Sequence, residues 1–231
     1  MTGHIAQNVA RITTAIAASA IKSDRNPADI QLIGVTKTLC PSTISQLINA
    51  GITNLGESRV QEFLPKYDAL CGSALNWHFI GHLQRNKVKY IIDKVDLIHS
   101  VDSIELVAEI NKQAERFDKN MQFLAEVNIA KEPSKFGIYP EHILEFVKNL
   151  VNMRHVRLAG LMCVAPFVEN GEENRQNFRK MRNLLLDIQQ KGVYHAEIQE
   201  LSMGMTSDFE VAIEEGATMV RLGTALVGSR Q

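Results

Sequence analysis

The segment QLIGVTKTLCPSTISQLINAGITNL, residues 31–55, decides the fold. It opens with a short apolar, β-prone run at 31–36, continues with an amphipathic stretch at 42–50, and ends with a second β-prone run at 53–55. A strand, a helix and a strand in this order indicate two parallel strands joined by a right-handed crossover. The segment therefore predicts one β/α unit of a parallel sheet.

The same alternation repeats along the whole chain. Candidate strands lie at 31–36, 53–55, 77–80, 97–99, 122–129, 156–162, 198–201 and 218–222. A helix-like segment separates consecutive strands, for example at 42–50, 59–70, 103–117, 141–151 and 174–190. Eight such units close most simply into a (β/α)8 barrel of the TIM type. A doubly wound open sheet is the alternative, but no GxGxxG motif follows the first strand to support it.

Ahead of the first strand, an additional helix is indicated. Apolar side chains recur there at helical spacing, at Val9, Ile12, Ile16 and Ala20. No Pro/Gly/Ser-rich linker interrupts the chain. The sequence thus predicts an α/β protein: one barrel domain over residues 1–231, with an extra N-terminal helix.

Length, charge and cysteine content narrow the class of protein. The chain has 231 residues and a formal net charge of −1, which argues against a generic nucleic-acid or membrane-surface binder. Its three cysteines are odd in number and form no CxxC motif, so neither a disulfide framework nor a zinc ribbon is expected. We find no signal-peptide pattern and no apolar run of about 20 residues. We expect a cytoplasmic, monomeric protein without nucleic-acid or membrane partners.

The first candidate functional residue is Lys37, at the end of the first strand. Strand alternation places it on the same face as Ile33 and Val35. If these two face the barrel interior, Lys37 is buried at the mouth of the barrel, where TIM-barrel chemistry takes place. Desolvation would lower its pKa and expose an amine for Schiff-base formation. The alternative is a lysine that extends to solvent from the strand end.

The loops after the last two strands carry the second signal. Ser207 and Glu210 fit a capping box, which predicts the start of a helix. Small residues and the hydroxyls of Ser202 and Thr224 could build a phosphate site, as loops seven and eight of such barrels often do. The alternative is that they are ordinary turn and cap residues.

A lysine opposite a phosphate cradle suggests pyridoxal 5′-phosphate (PLP) as the cofactor, with the aldehyde at Lys37. Arg221 ends the last strand. Beside a pyridine nitrogen this cation would oppose protonation of the ring and weaken its capacity as an electron sink. The alternative is that Arg221 is the partner of a structural ion pair.

Several motifs in the same order resemble those of the pyridoxal phosphate homeostasis protein family, whose members look like the barrel domain of alanine racemase. The match runs almost from end to end. It is carried by VTKT (35–38), LGESRVQE (55–62), WHFIGHLQRNK (77–87), KFG (135–137), GLM (160–162), LSMGMTSDFE (201–210) and VRLGT (220–224).

The resemblance implies roles for individual residues. Lys37 would hold PLP as a Schiff base, and Arg221 would face the pyridine nitrogen. It implies that Ser202, Gly204, Gly223 and Thr224 surround the phosphate, with Met203, Met205 and Thr206 in the same loop. His78 belongs to a motif that lines the pocket wall or is simply packed. Ser58 stands where the family often has Asn and keeps only a hydroxyl, and we place it at the cofactor as well.

Two functions follow from this interpretation. The first is a PLP-binding protein of cofactor, amino-acid and keto-acid homeostasis with little or no turnover, whose partners include apo-enzymes that receive the cofactor. The second is an amino-acid racemase, which needs a base on each face of the α-carbon. Only nine residues follow the last strand, so the second domain that supplies a racemase with its opposing tyrosine is not expected.

Four weaker signals are set aside. His78 and His82 lack a metal-site context, and the 223–228 glycine pair lacks the lysine of a phosphate-binding loop. Cys163 is interpreted as a core residue, and the basic run 85–89 as a solvated helix face.

Overall fold

The structure is a computed structural model, and it describes residues 2–70, 72, 74–194 and 197–228. All eight strands expected from the sequence are present, with ends that differ from expectation by three residues at most. They are β1 Gln31–Val35, β2 Asn54–Glu57, β3 Asn76–Phe79, β4 Leu97–Val101, β5 Met121–Glu126, β6 Val156–Met162, β7 Glu200–Ser202 and β8 Met219–Leu222.

Helices alternate with the strands, except that a short 3-10 helix, Arg85–Tyr90, replaces the α-helix between β3 and β4. The basic run is exposed on this turn, around the buried Val88. The α-helices are α1 Thr2–Lys22, α2 Pro41–Asn49, α3 Val60–Ala69, α4 Ile104–Glu115, α5 Ile143–Lys148, α6 Arg175–Lys191, α7 Phe209–Glu214 and α8 Thr224–Val227.

The eight strands close into one parallel barrel in sequence order, and β1 pairs with β8. In this last pairing Ile33 lies opposite Arg221, and Gly34 lies opposite Leu222. The predicted (β/α)8 barrel is therefore confirmed, and the open sheet is excluded. Because all strands are parallel, all of their carboxyl ends meet at one mouth.

Two apolar clusters hold the described part of the chain together. The larger one lies between the strands and the surrounding helices. The smaller one fills the barrel interior with residues of five strands, namely Ile33, Leu97, Leu124, Ala159, Met162 and Met219. Strands buried on both faces in this way explain why the sequence shows short, nearly continuous apolar runs.

The predicted N-terminal helix is present as α1, which packs against α2, α7 and α8. Its expected apolar positions, Val9, Ile12, Ile16 and Ala20, are all buried. The side chain of Asn8 donates a 3.0 Å hydrogen bond to the carbonyl of Leu226 and so connects α1 to the end of the barrel. No helix in the described ranges is long and apolar enough to cross a membrane.

Candidate functional site

A cavity of about 510 Å³ lies at the carboxyl mouth of the barrel. Seven of the predicted residues line it, namely Lys37, Ser58, Met205, Thr206, Arg221, Gly223 and Thr224. Four others, His78, Ser202, Met203 and Gly204, do not. The remaining lining residues are Val35, Leu39, Ile80, Val164, Phe167, Ser207 and Val227.

Lys37 lies at the mouth, on the face that the alternation predicted, with Ile33 buried in the interior below it. Of the two interpretations of its side chain, burial is wrong, and the alternative of a lysine that extends to solvent is confirmed, because Lys37 is exposed. No hydrogen bond or ion pair joins its Nζ to another described residue. The amine is therefore accessible to a molecule that enters the cavity.

The backbone on the N-terminal side of Lys37 is fixed by a buried ion pair. The N–H of Thr36 donates to the carbonyl of Gly56 at 2.9 Å, and its hydroxyl donates to Oε2 of Glu57 at 3.1 Å. Lys66 Nζ donates to the same Glu57 oxygen at 2.5 Å and to the Thr36 carbonyl at 2.8 Å. Because Glu57 is fully buried and fully paired, this arrangement anchors the strand end that carries Lys37.

On the other side of Lys37, the N–H of Thr38 donates to Oε2 of Glu62 at 2.7 Å. This contact is the main cause that lowers the pKa of the Glu62 carboxyl. Lys37 thus lies between two backbone positions that α3 and β2 hold in place.

A second part of the cavity lining consists of residues 205–207 and 223–224, in the loops after β7 and β8. In the described part of the chain, the backbone N–H groups of Thr206, Ser207, Gly223 and Thr224 have no protein acceptor. All four residues line the cavity. Unpaired amides from two adjacent loops form a site suited to a phosphate or another anion.

The loop 205–207 is shaped by Asp208 rather than by the expected capping box. Helix α7 begins at Phe209, with Asp208 at its N-cap, so Ser207 and Glu210 do not form the box. Oδ1 of Asp208 accepts from the Met205 N–H at 2.7 Å, while Oδ2 accepts from the buried Asn174 side chain at 2.8 Å. The Asp208 carboxylate thus joins the 205–207 loop to Asn174.

Arg221 reaches the cavity from inside the barrel and is 5% exposed. Its Nη1 donates to Ser202 Oγ at 2.6 Å, and its Nη2 donates to the carbonyl of Cys163 at 2.9 Å. No carboxylate of a described residue forms an ion pair with it, so the alternative of a structural ion pair is not what the geometry shows. Two of its five N–H groups are used, and the others remain available to a ligand.

His78 and Ser202 lie beneath the cavity. His78 is packed in the barrel interior, where its Nδ1 is 2.9 Å from Nε2 of His99. Ser202 is fully buried, with its hydroxyl shared between His99 and Arg221. The described residues contain no group of His, Cys, Asp and Glu that could hold a metal ion.

The remaining predicted residues support the loops. Met203 is buried in the layer outside the barrel, and Gly204 has a φ of +94° and lies against α7, where a Cβ would meet Ala212 at 2.6 Å. Ser58 lines the cavity beside Gly81, at which a Cβ would lie 2.3 Å from the Ser58 carbonyl oxygen.

Two functional candidates were not predicted from the sequence. His99 connects His78 to Ser202, and its inward position on β4 was the available signal. Glu126, at the end of β5, is 8% exposed and its Oε2 has no hydrogen-bond partner in the described structure. Burial, with a smaller contribution from Asp102, raises the pKa of Glu126 to about 7. Glu126 lies two residues after Leu124, which points into the barrel, so strand alternation could have predicted that Glu126 points inward as well.

The charges that line the cavity are those of Lys37 and Arg221, both positive, and no described lining residue is acidic. With the unpaired amides, they make a site that would take an anion carrying a carbonyl group, since Lys37 offers a primary amine.

The chain matches the sequence model of the family described as "Alanine racemase, N-terminal domain" over residues 4–231. It is 43% identical over 225 residues to the pyridoxal phosphate homeostasis protein of Aquifex aeolicus, covering 97% of this chain and 98% of that protein. The protein of the same name from Escherichia coli K12 is 34% identical, with coverages of 98% and 97%.

Solved structures show the same likeness. PipY from Synechococcus elongatus, determined with PLP bound, superposes with a TM-score of 0.83 at 31% identity, over 97% of this chain and all of that chain. An alanine racemase from Clostridium difficile has a TM-score of 0.72 at 16% identity. It shares the barrel fold alone, and the match covers 95% of this chain and 56% of the racemase.

Proposed function

The chain belongs to the pyridoxal phosphate homeostasis protein family, and from this premise we propose that it binds pyridoxal 5′-phosphate in the cavity at the barrel mouth. The observation that carries the proposal is that an accessible amine, Lys37, and four unpaired N–H groups line the same cavity. When bound, this cofactor supplies an aldehyde that condenses reversibly with a primary amine, and a pyridine ring that can accept electrons.

The residues fit the two ends of such a molecule. Lys37 would hold the aldehyde as a Schiff base, since its Nζ has no described partner to compete. The N–H groups of Thr206, Ser207, Gly223 and Thr224 would hold the phosphate, supported by the Thr206 and Thr224 hydroxyls. Arg221 would donate toward the pyridine nitrogen, and Ser58 and Met205 would contact the bound molecule.

The family resemblance implied that Ser202 and Gly204 also surround the phosphate. We propose a supporting role for them instead. The Ser202 hydroxyl is engaged inside the barrel, and Gly204 allows the 205–207 loop to pass close to α7. His78 and Met203 support the site from beneath and from outside the barrel.

We further propose that the protein buffers the cofactor and delivers it to apo-enzymes, as a cytoplasmic monomer without substantial turnover. The open mouth supports release, because an incoming amine can reach Lys37 from solvent. Racemisation needs a base on each face of the substrate, and Lys37 is the only lysine, histidine, cysteine or tyrosine among the described lining residues.

The test is reduction of the loaded protein with sodium borohydride, followed by peptide mapping. We expect visible absorbance on addition of the cofactor and a stable label on Lys37. Lys37→Ala and Lys37→Arg should both lose the absorbance and the label, whereas Lys89→Ala, an exposed lysine on the 3-10 helix, should retain them. A label on another lysine would contradict the assignment, and substantial turnover across a panel of amino acids would favour a racemase.

A further inference from the structure

A chain of hydrogen bonds crosses the barrel interior from β2 to β8. Arg221 Nη1 lies 2.6 Å from Ser202 Oγ, which lies 2.9 Å from Nδ1 of His99. Nε2 of His99 lies 2.9 Å from Nδ1 of His78, and Nε2 of His78 lies 3.4 Å from Oδ1 of Asn54. His99 and Ser202 are fully buried, and His78 and Arg221 are each 5% exposed.

The two ends of this chain of hydrogen bonds determine where its protons lie. A guanidinium only donates hydrogen bonds, so Ser202 Oγ accepts from Arg221. At the other end, Asn54 Oδ1 already accepts from the side-chain amide of Asn76 at 3.0 Å. It is therefore an acceptor for His78 as well. An acceptor at this end requires that the proton of His78 be on Nε2.

One assignment of the protons then gives every hydrogen bond of the chain one donor and one acceptor. His78 carries its proton on Nε2 and accepts at Nδ1 from Nε2–H of His99. His99 in turn accepts at Nδ1 from the hydroxyl of Ser202. Both rings are neutral in this arrangement, which agrees with the lowering of their pKa by burial, to about 4 for His78. A second proton on His78 would set its Nδ1–H against Nε2–H of His99, and a second proton on His99 would leave the Ser202 hydroxyl proton without its acceptor.

We propose that His99 and Ser202 are positioning residues, which hold the Arg221 guanidinium in one orientation so that its remaining N–H groups face the cavity. Because the Ser202 proton is committed to His99, a lone pair of the hydroxyl faces Nη1. The Cys163 carbonyl fixes Nη2. A planar guanidinium tied at two nitrogens cannot rotate without breaking both bonds.

The consequence for the ligand rests on the proposed function. A fixed cationic donor beside the ring nitrogen of bound PLP would keep that nitrogen unprotonated. A guanidinium released from Ser202 could turn away, and the ring nitrogen could then take a proton. The hydrogen-bond chain would thus set the electronic state of the bound cofactor from positions that do not touch it.

The first test uses the full-length protein without cofactor. Nitrogen-15 NMR of the histidine rings, with assignments from His78→Gln and His99→Gln, should show both rings neutral with the proton on Nε2 at neutral pH. A proton on Nδ1 of His99, or a charged ring, would overturn the proposal. This measurement needs neither ligand nor activity.

The second test compares variants of Ser202 loaded with PLP. Ser202→Ala should shift the absorbance of the bound cofactor toward the protonated pyridine form and weaken its binding about 10- to 100-fold, in line with one lost hydrogen bond to a charged group. Ser202→Thr keeps the hydroxyl and should restore both. Ser100→Ala removes another buried hydroxyl, which donates to the Gly81 carbonyl outside the chain, and should leave spectrum and tautomers unchanged.

The outcomes separate the two proposals. If the wild-type protein binds no PLP while the ring tautomers are as expected, the proposed function fails and the positioning role of the chain toward Arg221 stands. If the wild-type protein binds PLP and Ser202→Ala matches it in spectrum and affinity, the positioning role fails and the cofactor assignment stands.

Discussion

The backbone N–H of Thr38 donates a hydrogen bond of 2.7 Å to the carboxylate of Glu62, and this contact joins the loop after β1 to helix α3. Thr38 has a φ of +64°, a left-handed conformation that a β-branched residue rarely adopts. The charge-assisted bond offsets part of this strain. Lys37, which immediately precedes Thr38, is held in position as a result.

We predict that Glu62→Gln weakens PLP binding several-fold without unfolding the protein. The neutral amide accepts a weaker hydrogen bond from Thr38, so the backbone next to Lys37 becomes more mobile. Titration of the purified variant with the cofactor, followed by absorbance, measures the change. Asp187→Asn removes an exposed carboxylate that pairs with Lys191 on α6, and it should bind like the wild type.

The same contact has a pH dependence. Because the native pKa of Glu62 is lowered, its stabilisation is present above the ordinary carboxyl pKa and is lost as the pH falls through the lowered native value. The stability advantage of the wild type over Glu62→Gln should therefore vanish in acid. A constant difference down to the most acidic pH at which the protein folds would contradict this account.

Glu126 gives a second pH prediction, of opposite sign. Its native pKa of about 7 is raised above the ordinary value of 4.5, so the folded state holds a proton that the unfolded state releases. The contribution of this proton to stability is complete below about pH 4.5 and is lost as the pH rises through 7. Glu126→Gln keeps the shape of the side chain and stays neutral. Its free energy of unfolding should therefore increase relative to that of the wild type by on the order of 2–3 kcal/mol as the pH rises across this range.

The measurement is urea unfolding of both proteins at several pH values between about 5 and 9. Asp187→Asn serves as the control and should differ from the wild type by the same amount at every pH. If the difference between Glu126→Gln and the wild type does not change with pH, the buried carboxyl is not protonated in the native state.

The two described cysteines should differ in reactivity. Hydrogen bonds from the hydroxyls of Ser42 and Thr43 lower the pKa of the exposed Cys40 thiol to about 7, whereas burial raises that of Cys163 to about 12. Iodoacetamide should therefore alkylate Cys40 at a rate that rises through pH 7, and Ser42→Ala should slow the reaction. Mass-spectrometric mapping separates these sites from Cys71, which lies outside the described residues. Equal labelling of Cys163 in the folded protein would refute the prediction.

Close packing of two strands yields the last prediction. A Cβ at Gly160 on β6 would lie 1.9 Å from the carbonyl oxygen of Glu200 on β7. Gly160→Ala must therefore push these strands apart, and we expect a loss of at least about 3 kcal/mol in thermal or urea unfolding. Gly192→Ala meets no neighbour within 4 Å but has a φ of +57°, so it should lose only about 1 kcal/mol. Equal losses would contradict the predicted clash at Gly160.

The sequence was sufficient to predict the barrel because each strand is a local signal: a short apolar run between turn residues, repeated eight times. The placement of Lys37 and Arg221 at the mouth also followed from strand alternation and position. Exposure of Lys37 did not, because it depends on how far the loops of other strands extend over the cavity. The predicted capping box failed because the helix begins two residues later than Ser207, with Asp208 as its N-cap residue.

The chain of hydrogen bonds inside the barrel could not be predicted from the sequence. His78 was recognised only through a motif, and neither its partner nor the role of Ser202 inside the barrel was apparent. Each contact joins residues of different strands, and no local sequence pattern determines the register between strands. Glu126 illustrates the same limit, since its burial results from closure of the barrel around it.

That closure also imposes an order in time. Lys37 and Arg221 stand at the ends of the first and last strands, and they line one cavity only because β8 pairs with β1. A growing chain that lacks β8 contains Lys37 but not Arg221, and it cannot close the barrel around the cavity. A ligand that contacts both cations binds only to the closed barrel, and by mass action it stabilises the closed barrel as a whole. Occupancy of the cavity would then report that the barrel has closed.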